Sequence, residues 1–274
     1  MAHITINRFV GTLTIETLPV LDDGSSQSPV VVLEDTRLTV SRNETGRGFV
    51  IDGHYDQRPA NCIRQNDELT LQFAGEPRRL ISEFPVLHIQ VPQDAVLDID
   101  FLAGDGRVER VAGMQLSMAS CASLQIDRIS DNFDAVLDGS PSVVADYLGK
   151  SRVRSNGAGR LMAQSIAGGL ELAADRAGRI TVGHLAGDLR AELGGAARLN
   201  IGSGESQTAD ITLDRSARIE HNGAVGTLNL ETGQASRMVL AELKGDFTGV
   251  RGRAARLSIG NKTVRAIGEK WSVE

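Results

Sequence analysis

The sequence contains few aromatic residues, only two cysteines and no long apolar run. Phenylalanine, tryptophan and tyrosine make up 4% of the 274 residues, whereas glycine supplies 30 of them. This composition predicts a thin core of aliphatic side chains, with tight turns between short strands. No stretch approaches the roughly 18 apolar residues of a transmembrane helix, so we expect none. Cys62 and Cys121 lack CxxC spacing, and we expect two buried free thiols rather than a disulfide framework or a zinc site.

The start of the chain lacks the basic head and apolar centre of a signal peptide, because Thr5, Asn7 and Arg8 interrupt it. The sequence as it stands therefore predicts a cytoplasmic protein; the cell surface or the periplasm is the alternative for a chain whose leader has been removed. The net charge is −6, and the acidic excess belongs to the N-terminal part of the chain. An acidic chain argues against a nucleic-acid-binding protein.

Motifs for catalysis and metal binding are missing from the sequence. The five histidines show neither HxxxH nor HExxH spacing. Asp98, Asp100 and Asp105 form an acidic group. However, Leu102 stands where a calcium loop needs its third ligand. We therefore expect a protein that is not an enzyme and has no cofactor and no metal. A polysaccharide-active enzyme is a less favoured alternative, because sugar stacking uses aromatic side chains that are scarce here.

An internal repeat of about nineteen residues begins near residue 107 and continues to about residue 260. Arginines recur at spacings of 19, 19, 20, 19 and 19 residues: Arg160, Arg179, Arg198, Arg218, Arg237 and Arg256. Each follows two small residues and precedes an apolar one. The segments lack the i, i+3, i+4, i+7 stripe of a helix and the pattern of leucine-rich repeats. The period therefore predicts an all-β fold, a single-stranded β-solenoid in which each coil of short strands stacks on the next.

The apolar positions keep the same layout from coil to coil. In the coil that begins at Ile180, Val182 follows two residues later and Leu185 five residues later. Side chains two residues apart lie on one face of a strand, so we expect three short strands per coil with apolar inner faces. Glycine falls seven residues after the coil start in four coils: Gly168, Gly187, Gly226 and Gly245. We expect these glycines to form a corner with positive φ.

Three regions follow from this layout. Residues 1–95 are predicted to be an irregular β region that caps the solenoid, and residues 96–260 are predicted to be the solenoid itself. Residues 261–274 contain the only tryptophan, Trp271, and are predicted to cap the C-terminal end, since stacked coils need covers at both ends. Seven strands are predicted in the first region: His3–Phe9, Thr12–Leu18, Val30–Leu33, Arg37–Ser41, Phe49–Asp52, Glu68–Phe73 and Val86–Val91.

The irregular β region gives way to the segment LHIQVPQDAVLDIDFLAGDGRVERVAG, residues 87–113, and then to short coils punctuated by glycine. In this layout the chain resembles, from about residue 35 to residue 260, the adhesin-type domains of bacteria known as the head-GIN type. The resemblance implies a right-handed parallel β-helix, export and a role in adhesion, and it brings no functional residues with it. Segments such as GHLAGDLRAELGGAARLNIG resemble, more weakly, the bactofilins, which are cytoskeletal β-helices that polymerise end to end.

The repeated arginines are the candidate binding residues. If the apolar residue after each arginine points inward, the six arginines point outward and stack along one face. Stacked like charges repel one another, so something should offset them. Neighbouring carboxylates, together with guanidinium stacking, offer one answer: Asp175, Asp188, Asp214 and Asp246. An anionic polymer or surface lying along the arginines offers the other, because the guanidinium fork suits carboxylate and phosphate. His221 takes an inward position, and we expect a core histidine with a hydrogen-bond partner.

These observations favour a non-catalytic, adhesin-like interaction module that presents a rigid lateral face to an anionic polysaccharide or a protein partner. The alternative is a structural scaffold that assembles end to end, as bactofilins do. We expect no nucleic acid and no membrane span, and an oligomer is compatible with either function.

Overall fold

The computed structural model of the protein describes residues 1–19, 27–33, 38–44, 46–65, 68–260 and 262–273. About 70% of the chain is strand. The only helical element in these ranges is a 3₁₀ turn at Ile81–Glu83, and no helix within them is long and apolar enough to cross a bilayer. The chain divides into two compact units, Met1–Asp146 and Tyr147–Glu274.

The strands are numbered in chain order. The first unit contains β1 (His3–Asn7), β2 (Phe9–Thr17), β3 (Val30–Leu33), β4 (Thr39–Arg42), β5 (Gly48–Asp52), β6 (Asn61–Gln65), β7 (Glu68–Gln72), β8 (Arg79–Leu80), β9 (Val86–Val91), β10 (Val96–Val111), β11 (Gly113–Ser120) and β12 (Ser123–Gly139). The unit boundary lies within β13 (Ser142–Ser155). The second unit continues with β14 (Arg160–Ala167), β15 (Leu170–Ala174), β16 (Arg179–Ala186), β17 (Leu189–Leu193), β18 (Arg198–Leu213), β19 (Arg218–Thr232), β20 (Arg237–Leu243), β21 (Phe247–Val250), β22 (Arg256–Ile259), β23 (Val264–Ile267) and β24 (Lys270–Val273).

The second unit is a stack of parallel coils, which confirms the predicted β-solenoid. Strands β14, β16, β18, β19, β20 and β22 pair in parallel along one wall. Strands β15, β17, β18, β19 and β21 do the same along another wall. Each step in the stack advances the chain by 19 residues, except for the 20-residue step between Arg198 and Arg218. The first two short strands predicted for a coil are joined into one element, such as β16.

The interior of the second unit is lined by the predicted apolar positions. Ile180, Val182 and Leu189 have at most 1% of their surface exposed, while the residues between them along each strand face outward. Each inward side chain packs on its counterpart one coil away, as Leu189 does on Leu170 across paired strands. Burial of these aliphatic columns is the main source of stability in such a stack.

The corner glycines take the predicted role in two different ways. Gly168 and Gly187 have φ of 103° and 109°, as expected. Gly226 and Gly245 do not have positive φ, so the prediction was wrong for them. There the constraint is close approach of neighbouring coils, because a Cβ on Gly226 would lie 2.6 Å from the carbonyl oxygen of Gln207.

The coils of the first unit do not follow chain order. Strand β1 lies between β5 and β10, and β2 lies between β9 and β10, all in parallel. Residues 3–17 therefore form a coil of the stack, inserted between a coil made from later residues and the coil that begins at Val96. Strands β3 and β4 pair antiparallel with β9 and β5, on the opposite edge of those strands from β2 and β1. The seven strands predicted for this region are present with shifted ends, although Arg37 lies outside the described residues. Strands β6 and β8 were not predicted.

Residues 53–85 form an insertion that packs against the outer wall of the first unit. It carries a separate antiparallel sheet, β6–β7–β8. Its apolar side chains share a cluster with outward-facing residues of the coils, and the members are Val10, Leu69, Leu71, Phe73, Phe84, Phe101, Ala103 and Ala119.

Cys62 and Cys121 are joined by a disulfide bond, so the expectation of two free thiols was wrong. Cys62 lies on β6 of the insertion, and Cys121 lies in the turn between β11 and β12. The 59-residue separation of the two cysteines hides their proximity in the sequence.

The last strands of the second unit reverse direction. Strands β23 and β24 form an antiparallel hairpin, and β24 meets β21 where Lys270 opposes Val250. The indole Nε1 of Trp271 lies 3.4 Å from the hydroxyl of Thr232, and the guanidinium of Arg251 lies 5.3 Å from the centre of the indole ring. Trp271 therefore packs on the last coil of the stack.

Candidate functional site

The six predicted arginines form one in-register column on the second unit. Each occupies the first position of its strand, and strand pairing places each directly opposite the next: Arg160, Arg179, Arg198, Arg218, Arg237 and Arg256. All six side chains are exposed. At a strand spacing of about 4.8 Å, the five gaps extend over about 24 Å. We call this set the arginine column.

The turn before each arginine fixes its position. Ala177 and Gly178 precede Arg179, and the equivalent residues of the other coils are also small, so the chain can turn closely before the strand begins. Arg176 has φ of 62°, and the carboxylate of Asp175 accepts a hydrogen bond of 2.7 Å from the backbone N–H of Arg176.

The same turn recurs two coils later. There Arg215 has φ of 56°, and the carboxylate of Asp214 accepts from its N–H at 2.8 Å. Asp214 also lies 3.4 Å from the side chain of Arg215. These aspartates serve the turn.

The arginine column is not neutralised by the acidic residues that the sequence suggested. Asp175 and Asp214 hold their turns, and Asp188 accepts a 3.0 Å hydrogen bond from the N–H of Thr208. Throughout the described ranges, no acid lies within ion-pair distance of any column arginine. The first of the two answers, pairing with Asp175, Asp188, Asp214 and Asp246, is therefore wrong for direct ion pairs.

A neighbouring wall of the same unit shows the opposite arrangement. The outward residues that oppose one another across β13, β15, β17, β18, β19 and β21 are Arg152, Glu171, Arg190, Asp210, Asn229 and Thr248. Arg152 lies 3.0 Å from Glu171, and the amide of Asn229 donates to Asp210 at 2.8 Å. Charges alternate along this set, which we call the alternating ladder. Opposite charges across strands stabilise a sheet, whereas like charges destabilise it.

The repulsion within the arginine column is modest but repeated. Two unit charges about 5 Å apart in water repel by roughly 1 kcal/mol before salt screening. The outward column two residues further along each strand contains one acid and is otherwise uncharged: Met162, Thr181, Asn200, Glu220, Val239 and Ser258. The wall therefore carries a line of positive charge, and an anion bound along it would relieve the repulsion.

His221 lies in the interior, as predicted, and outside the candidate site. It is fully buried, between Ile201 and Leu240 of the adjacent coils. Its Nδ1 accepts a 3.0 Å hydrogen bond from the N–H of Gly223. Nε2 therefore carries the proton of the neutral ring, and it has no partner among the described residues. Burial lowers the pKa of His221.

Two shallow hollows on the alternating ladder were not predicted. The larger, of about 410 Å³, is lined by polar side chains that include Asp210, Asn229 and Glu231. The second, of about 340 Å³, shares Arg190 and Asp210 with it. Acids and bases are mixed along both. No three histidine, cysteine or acidic side chains are grouped to hold a metal ion within the described part of the chain.

Comparisons of the chain with protein-family models, with curated proteins and with solved structures found no match. The resemblance to the adhesin-type domains, and the weaker one to bactofilins, therefore stay predictions, and the candidate site is defined by the arginine column alone.

Proposed function

We propose that the protein is a non-catalytic, adhesin-like interaction module that binds a linear polyanion along the arginine column. The observation that carries the proposal is the contrast between two walls of the second unit. The alternating ladder interleaves arginine with acids from coil to coil, so this stack accommodates neutralised arginines. The arginine column keeps six guanidinium groups in line without an acid at ion-pair distance in the described residues. An external anion supplies the missing charge.

The ligand class follows from the spacing and chemistry of the column. Guanidinium groups form paired hydrogen bonds with carboxylate or phosphate groups. Because the donors recur at each coil, an extended chain with repeated anionic groups gains contacts along its length. An acidic polysaccharide meets these requirements. A single-stranded nucleic acid would lack the aromatic side chains on which its bases stack, since the column and its flanking residues contain none.

The column offers charge and hydrogen bonds rather than proton transfer. Arginine stays protonated at physiological pH, so it cannot act as a general acid or base there. We therefore propose binding and not turnover. End-to-end assembly is less favoured, because β3 and β4 in the first unit, and β24 in the second, run antiparallel to the strands that they join. A further parallel coil would have to displace them.

The test is charge reversal at three central column positions, Arg179→Glu, Arg198→Glu and Arg218→Glu. A matched control reverses Arg152, Arg154 and Arg190, which gives the same change in net charge on the alternating wall. Binding of a polyuronate oligosaccharide is measured by calorimetry at several salt concentrations, with circular dichroism as the check on folding.

We expect the column variant to bind at least about 100-fold more weakly, with a salt dependence reduced by about three counterions, because three charge-assisted contacts are lost. The control should bind within about threefold of the wild type. Equal affinity and equal salt dependence in the column variant and the wild type would overturn the proposal, as would the absence of binding by the wild type to both polyuronate and polyphosphate.

A further inference from the structure

The disulfide bond joins two segments that no strand ladder connects. Cys62 belongs to β6 of the insertion, and Cys121 follows β11 in the stacked coils. The bonded residues have a Cα–Cα distance of 6.1 Å, which is ordinary for a disulfide. The sheet of the insertion pairs only with itself, as β6–β7–β8. The bond is therefore a direct covalent tie between the insertion and the coil wall.

The insertion has little stability of its own. Its strands contain five, five and two residues, and a sheet of this size is marginal without a surface to pack on. Its buried side chains, among them Leu69, Leu71 and Phe73, complete their cluster with Phe101 and Ala103 of the coils. The insertion therefore remains folded only while it is held against the wall.

Other contacts across this interface are few and mostly at its rim. Arg58 lies 3.0 Å from Asp138, and Arg64 pairs with Asp105. The hydroxyl of Ser120 donates to the carbonyl of Pro59 at 3.3 Å. Partly exposed ion pairs contribute little to stability. The apolar cluster and the disulfide thus share the task of holding the insertion.

Both cysteines are half-buried, so a thiol in solution can reach the bond. Exchange begins when a thiolate attacks one sulfur and forms a mixed disulfide; a second thiolate then releases the protein sulfur. Overall, two reductant thiols become one disulfide and the protein gains two thiols, one on Cys62 and one on Cys121. The reverse reaction consumes a disulfide oxidant and restores the bond.

We propose that the Cys62–Cys121 bond is a redox-controlled lock on the insertion at residues 53–85. In the oxidised protein the insertion is fixed and covers the apolar wall that contains Val10, Phe101 and Ala103. Reduction by a thiol of the glutathione class releases it and exposes this wall. Because disulfides persist in oxidising compartments, the closed form belongs to the periplasm or the cell surface rather than to the cytoplasm that the start of the sequence suggested.

The test compares amide hydrogen exchange of the full chain before and after reduction with dithiothreitol. Alkylation and intact mass report the number of free thiols in each sample. A Cys62→Ala, Cys121→Ala variant, treated in the same way, controls for direct effects of the reductant. Amides of β16 and β17 in the second unit report whether any change is local.

We expect no free thiol before reduction and two after it. Exchange within β6 and β7 should accelerate by about 30-fold to 1,000-fold on reduction, as expected for loss of a cross-link that closes a long loop, while β16 and β17 change by less than threefold. The double variant should exchange fast without reductant and ignore it. Two free thiols in air-oxidised protein would overturn the proposal, and so would exchange in β6 and β7 that changes by less than threefold on reduction. If the double variant fails to fold, the reduced wild type alone decides.

Discussion

The two units use the same stacked coil but treat its outer wall differently. In the second unit, apolar and polar residues alternate, so Ile180 and Val182 are buried while Thr181 between them is exposed. In the first unit, Phe101 and Ala103 are both buried although Leu102 between them already fills the interior. A run of consecutive apolar residues in a strand indicates that both of its faces are covered. Here the second cover is the insertion.

Charged groups on the outer walls follow the same division. In the first unit, Asp105 and Asp138 of the coils pair with arginines of the insertion. In the second unit, the arginine column has no such partner in the described residues. The first unit has therefore occupied its side wall with its own chain, and the second presents a charged wall to solvent. This difference is the physical basis for assigning binding to the second unit.

The largest expected effect comes from removing an outward apolar side chain in each unit. Phe101→Ala should lower the free energy of unfolding of the first unit by about 3 kcal/mol, because it opens a cavity beneath the insertion. Met162→Ala, at an outward position that is 53% exposed, should change the stability of the second unit by less than about 0.5 kcal/mol. Urea denaturation followed by hydrogen exchange assigns each change to its unit. Equal effects of the two substitutions would show that the insertion does not cover the wall.

A smaller effect is expected from pH, through the buried histidine of the second unit. Burial lowers the pKa of His221 in the folded protein, whereas in the unfolded chain it is about 6.5. Below that pH the unfolded chain binds the proton and the folded one does not, so stability is complete above about pH 6.5 and falls as the pH drops. The loss is at most about 1.4 kcal/mol per pH unit, until the folded pKa is reached.

The variant that tests this is His221→Leu, since Leu240 holds the equivalent position one coil later. We expect its stability to be flatter than that of the wild type between pH 6.5 and pH 5, because the titrating group is gone. His184→Leu removes an exposed histidine from the same unit and serves as the control. Chemical denaturation at each pH provides the measurement. A wild-type slope retained in His221→Leu would assign the acid sensitivity elsewhere.

The sequence predicts the second unit almost residue by residue and the first unit only in part. Arginine followed by an apolar residue recurs every 19 residues, and this local signal places both the column and the inward His221. The insertion of β1 and β2 between later strands leaves no such signal, because stacking out of chain order has no period. The disulfide was missed for the same reason, since its partners are distant in the chain. The triplet Phe101-Leu102-Ala103 was the available sign of a doubly covered strand.

The charge balance of the column could not be predicted from composition. Aspartates occur close to the column arginines in sequence, and their number alone suggested neutralisation. The structure shows that Asp175 and Asp214 turn toward backbone N–H groups instead. A turn that needs a hydrogen-bond acceptor for its first N–H competes with ion pairing for the same carboxylate. Only the local backbone geometry decides that competition.

The smallest expected effect exchanges the charge patterns of the two walls. Arg198 lies between Arg179 and Arg218, so Arg198→Glu places opposite charges across both strand pairs and should stabilise the second unit by about 0.5–1 kcal/mol. Glu171 lies between Arg152 and Arg190, so Glu171→Arg should destabilise it by a similar amount. Urea denaturation at low salt measures both. The two changes should shrink toward zero near 1 M salt, where the screening length is about 3 Å. If both substitutions shift stability in the same direction, the column arginines do not repel one another, and the need for an external polyanion disappears with that repulsion.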